Sequence, residues 1–285
     1  MTRVCVVGSV NMDLGFEVET LPRPGETALA MSMRSAPGGK GANQAVAAAR
    51  AGADVQFVGA VGDDTAAGQL RDHLEENGVG TDALITVAGR SGNAVVVVES
   101  SGENLIIVAP EANGRLALDA AALGDIVADV DVLLLQLEIP VATAAAAARA
   151  ARSAGVTVIL NASPPGGDDA ELAQLAELVD VLVVNETEAA QWNWPVPQRV
   201  TTLGARGAAY TGDGVEFEVA APAVDAIDTA GAGDVFAGVL AATWAAGPGR
   251  ALRRACAAGA LATLVAGAGD CAPDADAIDK ATAPG

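Results

Sequence analysis

Asp234 follows Gly231-Ala232-Gly233 and precedes Val235, Phe236, Val239, Leu240 and Trp244, an apolar series at helical spacing that stops at Gly247-Pro248. The spacing predicts a tight turn entering a helix, with the Asp234 carboxylate in the first turn. Free backbone N–H groups and the positive end of the helix dipole meet there, which suits an anion. A carboxylate beside an anion site is unfavourable unless it acts, for instance by taking a proton while the anion is attacked.

Other groups offer an anion and a hydroxyl. Pro37-Gly38-Gly39-Lys40-Gly41-Ala42-Asn43-Gln44-Ala45 places Lys40, one of only two lysines, among glycines that let a ligand approach the backbone. That suits an oxygen-rich ligand, although a glycine turn with an N-cap reads the same residues. Asn11 and Asp13, in Gly8-Ser9-Val10-Asn11-Met12-Asp13, alternate so as to bond two hydroxyls, or they form an Asx-capped turn. Glu138 ends the apolar run Leu133–Leu137. Asn185-Glu186-Thr187-Glu188 reads as a helix cap or as control of a magnesium-bound phosphate. Thr202-Leu203-Gly204-Ala205-Arg206-Gly207 has glycines that admit a flat ring or a phosphate.

The elements that must position these groups alternate. Strands are expected at Val4–Val7, Val55–Val58, Val132–Leu137, Val156–Leu160, Val181–Val184 and Val200–Leu203. Helices are expected at about Ala42–Ala51, Ala66–Glu76, Ala142–Ala154 and Asp169–Leu178. Continuous Val/Leu strands separated by helices imply an α/β fold with a mostly parallel sheet covered on both faces. Ligands of such sheets sit at the carboxyl ends of the strands, where the polar motifs fall. Leu14–Val18, Thr27–Met33 and a hairpin of Ala94–Glu99 with Leu105–Val108, turning at Ser101-Gly102, would form a small second sheet. Its apolar residues need a ligand or another subunit to cover them.

Composition narrows the function. A formal charge of −20 disfavours nucleic acid and anionic membrane as partners. It also means that local donors must overcome the field around any phosphate. The only histidine, His73, lies in a polar helical stretch and reads as an exposed residue, which removes Ser-His-Asp, Cys-His and two-histidine metal mechanisms. Three separated cysteines fit packed, reduced thiols. With no membrane-length apolar run or leader pattern, the expectation is a soluble cytoplasmic protein.

The Gly38–Ala49 motif, Asn185–Glu188, Thr202–Gly207 and Asp228-Thr229-Ala230-Gly231-Ala232-Gly233-Asp234 closely resemble, in the same order, the signatures of the PfkB (ribokinase-like) carbohydrate kinase family. The resemblance covers nearly the whole chain. It implies one kinase domain over residues 1–285, with lid strands from about 11–36 and 92–110. It implies MgATP-dependent phosphorylation of a sugar primary hydroxyl, with D-ribose the first expectation. A related kinase for a nucleoside or another sugar, or a degenerate chain that binds without turnover, stays open. On this resemblance Asn11, Met12, Asp13, Gly39, Lys40, Gly41, Ala42, Asn43 and Glu138 would form the sugar pocket. Asn185, Glu188 and Thr202, Leu203, Gly204, Ala205, Arg206 and Gly207 would serve ATP and its Mg2+. Gly231, Ala232 and Gly233 would form the anion hole and Asp234 the base, next to both substrates. Asp228, Ala230, Ala262, Val265, Gly267 and Cys271 would hold K+, and two chains would pair as a homodimer through the lid. The family's crossover helix between Glu188 and Thr202 is shortened here, with Trp192 and Trp194 in its place.

Overall fold

Along each buried strand the side chains alternate between two faces, and each face builds its own core. Val4, Val6, Val132, Leu134, Val181 and Val183 enter one core, whereas Cys5, Val7, Leu133, Leu135, Leu182 and Val184 enter the other. The computed structural model describes residues 1–101 and 103–283. Gly102, expected in the hairpin turn, lies outside the described residues, as do 284 and 285.

In chain order the elements are β1 (Arg3–Val7), β2 (Asn11–Val18), β3 (Ser32–Gly38), α1 (Lys40–Arg50), β4 (Asp54–Val61), α2 (Thr65–Glu76), β5 (Val79–Thr86), β6 (Gly92–Glu99) and β7 (Asn104–Ala109). There follow α3 (Ala120–Val127), β8 (Val132–Leu135), α4 (Val141–Ser153), β9 (Thr157–Asn161), α5 (Asp169–Ala176), β10 (Val181–Asn185), α6 (Glu186–Ala189) and β11 (Gln198–Thr202). The chain ends with β12 (Ala208–Gly212), β13 (Val215–Val219), α7 (Ala232–Thr243), α8 (Pro248–Ala262) and α9 (Ala275–Thr282).

The large sheet runs β13-β12-β11-β10-β9-β8-β1-β4-β5, parallel except at one edge, where β12 pairs antiparallel with both β11 and β13. Leu70 and Leu74 of α2, Val46 of α1, Phe236 and Leu240 of α7 and Leu252 of α8 cover one face. Leu123 of α3, the alanines of α4, and Leu172 and Leu175 of α5 cover the other. Between β10 and β11 the only helix is the single turn of α6. Trp192 packs into the core there with Trp194 against it, their rings 5.1 Å apart and edge-on. The two indoles cover the face that a crossover helix would cover.

The small sheet runs β3-β2-β6-β7. Its first partner strand differs from the expectation of Thr27–Met33: pairing with β2 begins at Ser32 opposite Glu17 and continues to Gly38 opposite Asn11. Only an edge strand tolerates Pro37, which has no N–H to give, and β3 is such an edge. The glycine motif is therefore strand up to Gly38, and Gly39 alone makes the turn into α1. On β7, a free edge strand, Leu105 and Ile107 are 46% and 60% exposed on the face away from the cleft, whereas Ile106, 57% exposed, lines the cleft.

Candidate active site

Gly231 caps α7 with φ 78°, a left-handed conformation that glycine adopts without strain, and a Cβ there would lie 2.7 Å from the Cα of Ala268. Seven residues on, a Cβ at Gly238 would overlap the carbonyl of Gln44, so glycine is what lets α7 lie directly on α1. This close packing brings the first turn of α7 against the start of α1. Asn43 Nδ2 donates to Asp234 Oδ2 at 3.2 Å, and Gln44 Nε2 donates to Asp234 Oδ1 at 3.0 Å. Asp234 is 8% exposed, so the carboxylate lies at the floor of the site.

Two cavities meet at this carboxylate. A cleft of about 650 Å³ under the small sheet is lined by Asn11, Asp13, Gly39, Lys40, Asn43, Glu138, Gly231 and Asp234. A smaller one, about 150 Å³, runs along the strand ends and is lined by Lys40, Asn161, Ser163, Asn185, Glu188, Thr202, Gly231, Gly233 and Asp234. Lys40, Gly231 and Asp234 belong to both. A larger cavity, about 810 Å³, lies at the opposite edge of the sheet between β4, β5 and α3 and gathers none of these groups.

The cleft under the small sheet is built from the first residues of β2. Strand alternation aims Asn11 and Asp13 at the cleft and sends Met12 into the core with Ala42. Asn113, fully buried after β7, donates to Asn11 Oδ1 at 2.7 Å and fixes its orientation. Ser9 Oγ donates to Glu138 Oε2 at 2.6 Å, and the backbone N–H of Lys40 donates to the same oxygen at 3.2 Å. Gly41 and Ala42 act through their backbone, donating to the Ser9 hydroxyl and carbonyl. Asp13 Oδ1 and Asn43 Oδ1 are buried with no hydrogen-bond partner in the protein. Such groups are costly unless a ligand satisfies them, and both line the cleft.

Burial, with Glu138 and Asp234 adding repulsion, pushes the Asp13 carboxyl up to about 7. Burial pulls Lys40 down, but Asp234, Glu138 and Glu188 outweigh it and hold the ammonium above its ordinary range. Lys40 therefore stays charged among carboxylates. The Asp13 shift has a consequence for the folded chain. A carboxyl raised from its ordinary value near 4 to about 7 binds its proton more tightly when folded, so stability falls as pH rises through that window, by up to about 1.4 kcal/mol per pH unit. Asp13→Asn is expected to melt several degrees higher than the parent at pH 8, to lose that advantage below pH 4, and to bind the cleft's ligand at least tenfold more weakly. Thermal melts at the two pH values check the sign. A variant less stable at pH 8 refutes the assigned burial.

On the strand side, Asn185 and Glu188 form a reciprocal cap on α6, each side chain accepting the other's backbone N–H at 2.8 Å. Glu188 is nonetheless part of the cavity wall, so both readings of this motif hold at once. Of the next motif only Thr202 reaches the cavity. Gly204–Arg206 form an exposed 3-10 turn closed by Leu203 and Gly207, and Arg206 pairs with exposed Glu186 at 2.5 Å on the surface. Near the anion turn, Asp228 accepts from the N–H groups of Ala230 and Gly267 at 2.9 and 2.8 Å, tying the two loops together. Cys271 Sγ sits 3.8 Å from the Ala230 carbonyl and 3.3 Å from that of Ala268. The Ala262 carbonyl accepts from Val265 in the last turn of α8.

Several site residues carry no role in the sequence reading. Asn161 and Ser163 follow a Val-Ile-Leu run at a strand's carboxyl end, the same signal that marks Glu138. Gln44 and Gln136 are polar residues inside otherwise apolar runs. Asn113 lies in a loop and has no local signal. His73 is half-buried in α2, not exposed, and lines neither cavity.

The arrangement places a carboxylate between a cleft with unsatisfied polar groups and a cavity ending at a helix N-terminus, which is the geometry for moving a proton off a group that attacks an anion. A family model described as pfkB family carbohydrate kinase matches residues 1–193 and 195–275. The ribokinase of Bacillus subtilis is 35% identical over 260 residues, 87% of each chain. A solved structure of Arabidopsis thaliana ribokinase complexed with ribose and ATP superposes with a TM-score of 0.86 at 32% identity, covering 99% of this chain and 98% of that one. The ribokinase of Thermotoga maritima superposes with a TM-score of 0.87 at 29% identity, over 98% of this chain and 99% of that one. With the match running over nearly the whole chain, the chain belongs to the pfkB family of carbohydrate kinases.

Proposed function

We propose that this carbohydrate kinase transfers the γ-phosphoryl group of ATP to the primary hydroxyl of D-ribose, giving D-ribose 5-phosphate and ADP. The observation that carries this reading is the sharing of Lys40, Gly231 and Asp234 by two cavities. One holds unsatisfied groups suited to sugar hydroxyls, the other a helix N-terminus suited to phosphate.

Asn11, Asp13, Asn43 and Glu138 hold the sugar hydroxyls, with Gly39 and Lys40 closing the pocket wall. The primary hydroxyl lies on Asp234. Its oxygen attacks the γ-phosphorus as its proton passes to the carboxylate, and the bond to the ADP oxygen breaks. Phosphoryl transfer needs positioning and charge stabilisation more than covalent help. The turn Gly231-Ala232-Gly233 supplies the stabilisation on one side of the transferred group, through the N–H groups of Gly231 and Gly233 with that of Ala232 shared with the Thr229 carbonyl at 3.3 Å, and Lys40 supplies it on the other. Asn185 and Thr202 line the path of the nucleotide; Arg206, on the surface, contributes at its outer edge.

Mg2+ in such sites is carried mainly by phosphates and water. The described residues contain no cluster of three or more acidic, histidine or cysteine groups that could hold a metal alone, and Glu188 keeps one oxygen outside its cap. Glu188 fits a role through water; bound Mg2+ would neutralise phosphate charge. For K+, Asp228 and the carbonyls of Ala230, Ala262, Val265 and Gly267, with Cys271 beside them, provide the loop, and a bound cation would stiffen the anion turn from behind.

The small sheet is the lid over the sugar, within a single domain, and the exposed strip on β7 supports a homodimer through it. A monomer by light scattering at micromolar concentration removes that part of the reading. Among the described residues no helix is long and apolar enough to cross a membrane. A coupled ADP-release assay over ribose, fructose, 2-deoxyribose, adenosine and uridine, with and without K+, tests the whole. Ribose is expected to give the highest kcat/KM and K+ to raise it. Preference for a nucleoside, or binding without turnover, overturns the proposal.

A further inference from the structure

Gln44 is completely buried beneath Asp234, on a helix whose inward face is otherwise mostly alanine, valine and glycine. Every polar atom of its amide is used. Nε2 donates to Asp234 Oδ1 and to Asn161 Oδ1, each at 3.0 Å, and Oε1 accepts from Gln136 Nε2 at 2.7 Å. Gln136, at the end of the β8 run, is also completely buried. Asn161 is anchored in turn by donating to the Val183 carbonyl at 3.2 Å.

Buried amides are costly unless bonded, and apolar side chains would close this space at lower cost. The amide orientation of Gln44 is fixed at its nitrogen, which faces two acceptors, Asp234 Oδ1 and the anchored Asn161 Oδ1, so a flipped amide would lose both bonds. With Asn43 on Oδ2 and Gln44 on Oδ1, each oxygen of Asp234 takes one protein donor and keeps a lone pair for a substrate proton.

We infer that Gln44 is a positioning residue of the reaction: held by Gln136, it fixes the Asp234 carboxylate toward the acceptor hydroxyl and couples it, through Asn161, to the wall of the phosphate cavity. This rests on the reading of Asp234 as the base. Donation to a carboxylate also favours its charged form, which is the form that accepts the proton. Lys40 on α1, Asp13 on β2 and Cys271 in the loop behind the turn also face Asp234, and Glu138 after β8 lines the same cleft. All stay in place when Gln44 is changed, so the variant is read against the parent.

Gln44→Leu fills the same space without donors. It is expected to fold, to bind ribose within about threefold of the parent by calorimetry, and to lose about ten- to a hundredfold in kcat through misplacement of the base. The acid limb of its kcat–pH profile should move to higher pH. Gln44→Glu, which adds a negative charge beside Asp234, should move that limb further in the same direction. Gln136→Leu touches Gln44 but not Asp234 and should give a smaller shift of the same sign. A purely structural role would lower the melting temperature of these variants and leave kcat per folded enzyme and the acid limb unmoved. That outcome in whichever variants fold overturns the inference. Asp234→Asn in the same assay separates the two claims. Parent-like turnover there removes the base itself, whereas an inactive Asp234→Asn beside a parent-like Gln44→Leu removes only the role of Gln44.

Discussion

Asp234→Asn is expected to fold, to bind ribose with near-parent affinity, and to turn over about a hundredfold or more slowly. The substitution keeps the shape of the side chain and removes the proton acceptor. Its structural cost is contained by the neighbours. Asn43 and Gln44 each donate to one oxygen of Asp234, so an introduced amide nitrogen faces one N–H group. Gln44 keeps its orientation because its nitrogen also donates to Asn161, which is itself anchored to the Val183 carbonyl. Asn43 can turn, because its Oδ1 has no partner to lose, and after rotation it accepts from the new amide. The loss of stability is therefore no more than that of one ordinary hydrogen bond, about 1 kcal/mol. ADP release, ribose calorimetry and a thermal melt measure the three quantities separately. Turnover within a few-fold of the parent would sink the assignment of the base.

Lys40→Met should produce the second large effect: KM for MgATP higher by at least about tenfold and kcat lower by about a hundredfold. Lys40 lines both cavities and faces Asp234, Glu138 and Glu188. The chain carries a formal charge of −20, and Arg206, the other cation of the nucleotide motifs, is committed to Glu186 at the surface. Once the ammonium is replaced by a thioether, the arriving phosphates meet carboxylates with no protein cation between the cavities. Methionine keeps the apolar stem and its packing, so the fold should be unaffected. Added salt should partly restore ATP affinity in the variant by screening the acidic field. Unchanged KM and kcat would move the phosphates away from Lys40.

The parallel sheet, α7 and the glycine turn that enters it are legible because each has a local signature. Continuous Val/Leu strands, a 3.6-residue apolar series and a glycine pair before a carboxylate all lie within one window. The antiparallel edge was legible too and went unread: Asp213-Gly214 between Ala208–Gly212 and Val215–Val219 is a hairpin signal. β5 was hidden by Gly80 and Asp82, poor strand formers that an edge position tolerates. The β3 boundary was missed because pairing with β2, not propensity, decides where it starts. Of the residues lining the two cavities, those in motifs at strand ends are marked by chemistry and position. Gln44, Gln136 and Asn113 are not, because their partners are 92 or more residues away and only the fold brings them together. Met12 shows the converse. It sits between two cleft residues in sequence and is turned away from them by strand geometry.

The small sheet and the cleft beneath it share a strand. Asn11 and Asp13 are the first and third residues of β2, and Asn11 is paired on one side with Gly38, where β3 ends, and on the other with Gly92, where β6 begins. Asn43 and Asp234, across the cleft, belong to helices of the main body. In the proposed function an acceptor touching both sets would bridge the small sheet and the main body, so that its recognition would draw on strand pairing as well as on pocket chemistry.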